Sequence, residues 1–385
     1  MTRTDLHDKA RPRFQPEPLL RLFDNPLLIA QARRQFRQRA FYFTWGFALL
    51  IGGAICLITH VSNRFTGSEE GWLVARLTLG WLIFINLYFR SATRLNGLAA
   101  DERRSGLLEF HQATPTRPLT DAVGLLIGMN ARAWVSGGVL SIFWLIAGLL
   151  EGRIFSELLF ALFFIFFGAL LIHSFCFTLG LWGRGGGRLR MGGLIFILPL
   201  FFFAEGLDQL GAHTLAHLTP FPALSVSELS PLSKLFTHYE SLQFFGLSLS
   251  PRLFTLFVQG GALWICLSLA CRSLSNPNQT LSRRGALIAW AATLLTVLGA
   301  DLSRGNPSQL AAMDTFMSGF FGASAYLLLT SISGAGLLLL LSPTPLMLQQ
   351  SERRAERLGR DRPQLIEDGA PISGALWIVM GVSVV

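Results

Sequence analysis

The chain has 385 residues, of which 51% are hydrophobic and only 14% charged, with mean hydropathy +0.47. This composition excludes an ordinary soluble enzyme and indicates a polytopic, all-α membrane bundle, because each helical crossing needs roughly 20 apolar residues. The formal charge of +9 falls in alternate loops, the positive-inside pattern, so it reports orientation and argues against nucleic acid as a partner.

Residues 1–18 carry Pro12, Pro16 and Pro18 among charges and read as a disordered cytoplasmic tail. Between 19 and 40, apolar and basic residues interleave as in an amphipathic helix lying in the membrane interface, its arginines snorkelling toward anionic headgroups. A plain basic tail enforcing topology is the competing reading. No cleavable signal peptide is visible, because the first forty residues are polar and arginine-rich.

A six-span core is expected over 41–271. The first span covers Phe41 to His60 and the second Trp72 to Phe89, with Arg76 snorkelling near its outer end. The arginines from Arg90 to Arg117 then mark an inner loop. A helix over Leu119 to Asn130 enters the third span, which ends near Leu150, and Arg132 must lie near the interface or face the bundle. Glu151 and Glu157 flank an outer turn before the fourth span, which extends to Trp182. Gly185, Gly186 and Gly187 lack the Lys-Ser/Thr of a phosphate loop and read as a flexible turn. The fifth span, Met191 to Ala204, precedes a long outer region over 205–251, and the sixth covers Leu253 to Cys271.

Residues 272–385 hold further apolar runs, Gly285 to Ala300 and Phe316 to Leu341. The last, Gly374 to Val385, is too short to cross the bilayer and reads as an incomplete span.

Few side chains suggest chemistry. Cys56, Cys176, Cys266 and Cys271 lie in or beside apolar runs without ligand spacing and read as packing residues. His213 and His217 are four apart, but Thr214 stands where a zinc hydrolase would carry its general-base glutamate. His173 is the one histidine well inside an apolar run. A packing role, hydrogen-bonded to a nearby carbonyl or to Ser174, outweighs a proton relay.

The polar segment Asp101 to Pro115, D-E-R-R-S-G-L-L-E-F-H-Q-A-T-P, interrupts this pattern. On one helix, Glu102 and Glu109, seven apart, would share a face beside Leu107, Leu108 and Phe110, and Thr114-Pro115 would end it. The order Glu102-Arg103, Gly106, Leu108-Glu109, Thr114-Pro115 resembles the E-R-x-x-G-x-L-E-x-x-x-x-T-P signature of ABC exporter permeases of the second export class. Upstream, Asn25-Pro26 and the basic run holding Arg33, Arg34 and Arg37 are similar to the N-P entry of the larger bacterial permeases in that family. The acid of that entry is missing, with Ala30 and Gln31 in its region.

The resemblance implies a permease subunit in the bacterial inner membrane, with its N-terminus cytoplasmic, an elbow helix at 19–40 and a coupling helix at 101–115. It also implies a re-entrant or interfacial helix pair within 205–251. The expected partners are a separate ATPase subunit, a second permease copy or paralogue, and membrane lipids. Docking on the ATPase would fall to Glu102, Arg103, Gly106, Leu107, Leu108, Glu109, Thr114 and Pro115. There is no Walker motif here, so ATP and Mg would be bound by the partner, this chain carrying no cofactor. A membrane-embedded lipid- or peptide-processing enzyme and a non-catalytic assembly factor are the alternatives.

Overall fold

A computed structural model describes residues 25–66, 70–106, 118–182, 201, 204, 213–225, 242–244, 247–275, 353, 356 and 357. The remaining expectations, including the seventh and eighth spans and all but two residues of the fifth, lie outside the described residues.

The elements are α1 (Pro26–Phe36), α2 (Arg39–Thr66), α3 (Glu70–Phe84), a π-helical segment (Ile85–Arg90) and α4 (Ser91–Arg104). They continue with α5 (Pro118–Met129), α6 (Ala131–Leu150), α7 (Phe155–Trp182), α8 (His213–Ala216), α9 (Phe221–Ser225), strands β1 (Leu242–Phe244) and β2 (Leu247–Leu249), and α10 (Pro251–Ser275). Five helices are long and apolar enough to cross a membrane: α2, the continuous run α3–π–α4, α6, α7 and α10. They correspond to the predicted first, second, third, fourth and sixth spans.

Two boundaries differ from the sequence reading in ways that matter. The second span does not give way to a loop at Arg90, because helix persists for 35 residues from Glu70 to Arg104. At 1.5 Å per residue this run is about 52 Å long, some 20 Å beyond a hydrocarbon core of about 30 Å. Its lower half survives its polarity because Leu95 and Ala99 are buried against α5, α7 and α10 in a second core with Leu125, Phe177 and Leu274. The other boundary is at Asn130, whose φ of −108° and ψ of 12° separate α5 from α6.

The larger core joins α3, the π segment, α6 and α7 through Leu79, Ile83, Leu87, Tyr88, Trp144 and Phe164. Tyr88 is fully buried, and its hydroxyl donates to the carbonyl of Ile165 at 2.6 Å. That bond satisfies the one polar atom of an otherwise apolar side chain. The crossing of α4 and α7 is tight at Gly180, where an added Cβ would stand 2.5 Å from the Asn96 carbonyl oxygen and 2.8 Å from the Ala99 Cβ. By contrast, α2 lies at the periphery, with Phe43, Leu50 and Phe65 largely exposed. An apolar surface of this extent is suited to lipid rather than water.

Within 205–251 the described residues hold the four-residue α8 and the five-residue α9, and the rest of the expected helix pair lies outside the described residues. A small antiparallel ladder follows, pairing Leu242 with Leu249 and Phe244 with Leu247, so the bundle is not purely helical. Phe244 packs toward Phe254 of α10, with ring centroids 5.7 Å apart.

Candidate functional site

Helix α1 begins where Asn25 and Pro26 make a helix start. The Asn25 side-chain oxygen accepts from the Leu27 amide at 2.9 Å, and Pro26 occupies the first turn, where no amide hydrogen is needed. The Asn25 Nδ2 also donates to the Thr120 carbonyl at 2.5 Å, which fixes α1 against α5. Asn25 and Gln35 are the polar residues that α1 buries, while Arg33, Arg34 and Arg37 are exposed.

The end of α1 meets the extended lower part of α4. Arg94 Nη2 donates to Gln35 Oε1 at 2.6 Å, and Arg132 Nη2 to Gln38 Oε1 at 2.8 Å. Glu102, only 7% exposed, faces α1: Gln31 Nε2 donates to its Oε1 at 3.4 Å, and Arg34 Nη1 lies 3.6 Å from the same oxygen. Its other oxygen has no hydrogen-bond partner among the described residues. Because the Arg34 side chain is largely exposed, this pair contributes at most about 1 kcal/mol.

Arg103 donates to the Leu181 carbonyl and so ties the tip of α4 to the end of α7. Gly106 then adopts φ +74°, a left-handed conformation natural to glycine after a helix end. Helix α4 has already ended at Arg104, so the expected 101–115 helix is interrupted within its described part, at Ser105-Gly106. Glu102 and Arg103 belong to the end of the long helix. Leu107, Leu108, Glu109, Thr114 and Pro115 lie outside the described residues.

His173 is fully buried between the π segment and Asn130. Its Nε2 lies 2.7 Å from the Leu87 carbonyl and 2.5 Å from Ser91 Oγ, and its Nδ1 lies 3.2 Å from Asn130 Nδ2. A neutral imidazole with the proton on Nε2 satisfies these partners: it donates to Leu87, and its Nδ1 accepts from Asn130. The expected carbonyl partner is thus present, but Ser174 instead bonds Leu170 within its own helix at 2.8 Å. Ser91 and Asn130 escaped sequence reading. Their signal was polarity within otherwise apolar helices, which becomes specific only when three helices converge.

At the opposite end, Arg76 is fully buried and does not snorkel. Its guanidinium grips Glu151 at the end of α6 through Nε and, at 3.1 Å, through Nη2, while Arg153 Nε reaches Glu151 Oε1 at 3.1 Å. Burial raises the proton affinity of Glu151, but the hydrogen bonds and charges of Arg76 and Arg153 outweigh it and hold the carboxyl below its ordinary range. A carboxyl with a lowered folded pKa adds stability above its unfolded value of about 4.3, and that stability is lost as pH falls through the folded value. Wild type is therefore expected to melt higher than Glu151→Gln by a margin constant from about pH 7 to pH 5. That margin should close on further acidification, as read by thermal melting in detergent.

His217 lies just past the end of α8. It is buried, with Nδ1 2.7 Å from Thr255 Oγ1 and its ring against Phe254. No group of three His, Cys, Asp or Glu side chains among the described residues is arranged to hold a metal.

These features define a multi-pass helical membrane bundle with one basic end and one end clamped by a buried ion pair. No family model matches the chain, and no curated protein or solved structure does either.

Proposed function

We propose that the chain is the membrane-spanning permease subunit of an ATP-driven exporter, working with a separate ATPase and a second permease copy or paralogue. The observation that supports this reading is that Glu102 and Arg103, the first residues of the signature, end the 35-residue helix. That helix runs past the membrane on the side where Arg33, Arg34, Arg37, Arg90, Arg94, Arg103 and Arg104 gather. By the positive-inside rule this side is cytoplasmic, so α1 and the end of α4 are within reach of a soluble ATPase.

The long helix supplies the mechanism. Movement of a docked ATPase against 106–115 acts at one end of a lever whose other end, α3, packs on α2 and α6. Arg103 at Leu181 and Glu102 at α1 then distribute that movement to two further elements. In this arrangement Glu102 is a positioning residue turned toward α1, and Glu109 is the acid left for contact with the ATPase.

The test is purification of the full chain from its host in mild detergent, with identification of the soluble proteins that come with it and assay of their ATP hydrolysis. A stoichiometric ATPase is expected to accompany the wild type and to be lost from Glu109→Arg while that variant still inserts. If a folded wild-type chain brings no nucleotide-binding partner, the reading fails.

A further inference from the structure

A cavity of about 240 Å³ opens between α2, the π segment and α6. Phe43, Phe47, Ile51, Leu82, Ile85 and Leu140 line it, and its polar lining is Thr44, Asn86, Ser136 and the single cation Arg90. Phe43 and Phe47 stack with centroids 6.0 Å apart, and Ile85 at the mouth is 51% exposed. The groove is therefore entered from the face where the bundle presents α2 outward. Asn86 is held by Ser136 Oγ at 2.9 Å.

Three arginines gather beside it. The positive charges of Arg132 and Arg90 both bear on Arg94, and Arg90 also bears on Arg132. Among the described residues none of the three has a carboxylate within ion-pair distance. Among the described residues Arg94 and Arg132 reach only the neutral amides of Gln35 and Gln38, and Arg132 Nε is buried with no hydrogen-bond partner there. Three mutually repelling guanidinium groups without acids form a locus that an anion would stabilise. Its neighbour is an apolar slot that an anion alone would leave empty.

We propose that this groove is a binding site for one anionic phospholipid. An acyl chain lies between Phe47 and Leu140, and the phosphate is met by Arg90 and Arg132. The site does not depend on the transport reading. Charge complementarity selects the headgroup, since juxtamembrane arginines favour anionic over zwitterionic lipid. The aromatic and aliphatic walls select a chain in preference to a soluble phosphate.

The full chain, purified in detergent and offered equal amounts of phosphatidylglycerol and phosphatidylcholine, is examined by native mass spectrometry. The first lipid retained is expected to be phosphatidylglycerol by about tenfold. Arg90→Gln with Arg132→Gln should bring the ratio close to one. Ile85→Trp, at the exposed mouth, should reduce retention of both lipids with the arginines intact, and millimolar inorganic phosphate should not displace the bound lipid. Equal retention by the wild type overturns the proposal, as does a preference that survives both glutamine substitutions in a chain of unchanged helicity. Displacement by phosphate together with no effect of Ile85→Trp overturns it in favour of a simple anion site.

Discussion

Arg76→Ala is expected to be the most damaging single change in the described bundle, with a loss of about 3–5 kcal/mol. The arginine is fully buried and makes a two-point contact with Glu151, joining α3 to the end of α6. Its removal strands a carboxylate that is mostly withdrawn from water, leaving only Arg153 on one of its oxygens. Much of the loss is the penalty of that stranded charge, not the net worth of the pair. A double variant, Arg76→Met with Glu151→Leu, should therefore recover most of the stability, because a well-packed apolar pair of similar volume has no charge to desolvate. Denaturation in mixed micelles of the single and double variants measures both effects. A double variant as unstable as Arg76→Ala would show that packing, not charge, is what the arginine supplies.

The second large effect is expected at Gly180. A methyl group there would press on the Asn96 carbonyl oxygen and on Ala99, backbone and short side chain of α4 that cannot swing aside. Gly180→Ala should destabilise by about 1–3 kcal/mol as α4 and α7 are forced apart. Gly138→Ala is the matched control, since nothing stands within 4 Å of its added methyl. That change should instead stabilise by about 0.5–1 kcal/mol, because alanine loses less freedom than glycine on entering a helix. Opposite signs in the two melting shifts are the expected result. A like sign at both positions would mean that the α4–α7 contact yields easily.

What could be read in the sequence was governed by the length and polarity of its runs. Apolar stretches ending at charges located α2, α6, α7 and α10 within a few residues. The amphipathic helix was expected over 19–40, and the start of α1 at Asn25-Pro26, itself a local helix-initiating device, was not used to place it. The continuation of the second span past Arg90 was hidden. Arg90, Arg94, Arg103 and Arg104 look like loop residues when counted, yet Arg90, Arg94 and Arg104 decorate one side of a helix whose other side is buried, and Arg103 turns inward to the Leu181 carbonyl. The buried series Leu79, Ile83, Leu87, Ser91, Leu95 and Ala99 held the clue. Steps of four advance an α-helix about 40° too far each time, so five steps drift by about 200° unless something absorbs the excess. Arg76 was misjudged for a different reason: a charge near a helix end snorkels only when no partner crosses the bundle to meet it, and Glu151 lies 75 positions away. For the same reason His173, Asn130 and Ser91 could not be joined on paper.

The π-helical segment at Ile85–Arg90 acts as a phase shifter in a single rod. Above it, Leu79 and Ile83 address the large core; below it, Leu95 and Ala99 address the second core, and Glu102 addresses α1. Deleting one residue from this turn would restore ordinary helical pitch and rotate everything beneath by about 100°. Every side chain below the deletion would remain, but the faces that the lower cylinder presents to α7 and to its surroundings would be exchanged. The angular setting of the tip that carries Arg103 and Gly106 is thus encoded in a single wide turn about 20 Å away, which makes residue count there, more than residue identity, the quantity the fold holds fixed.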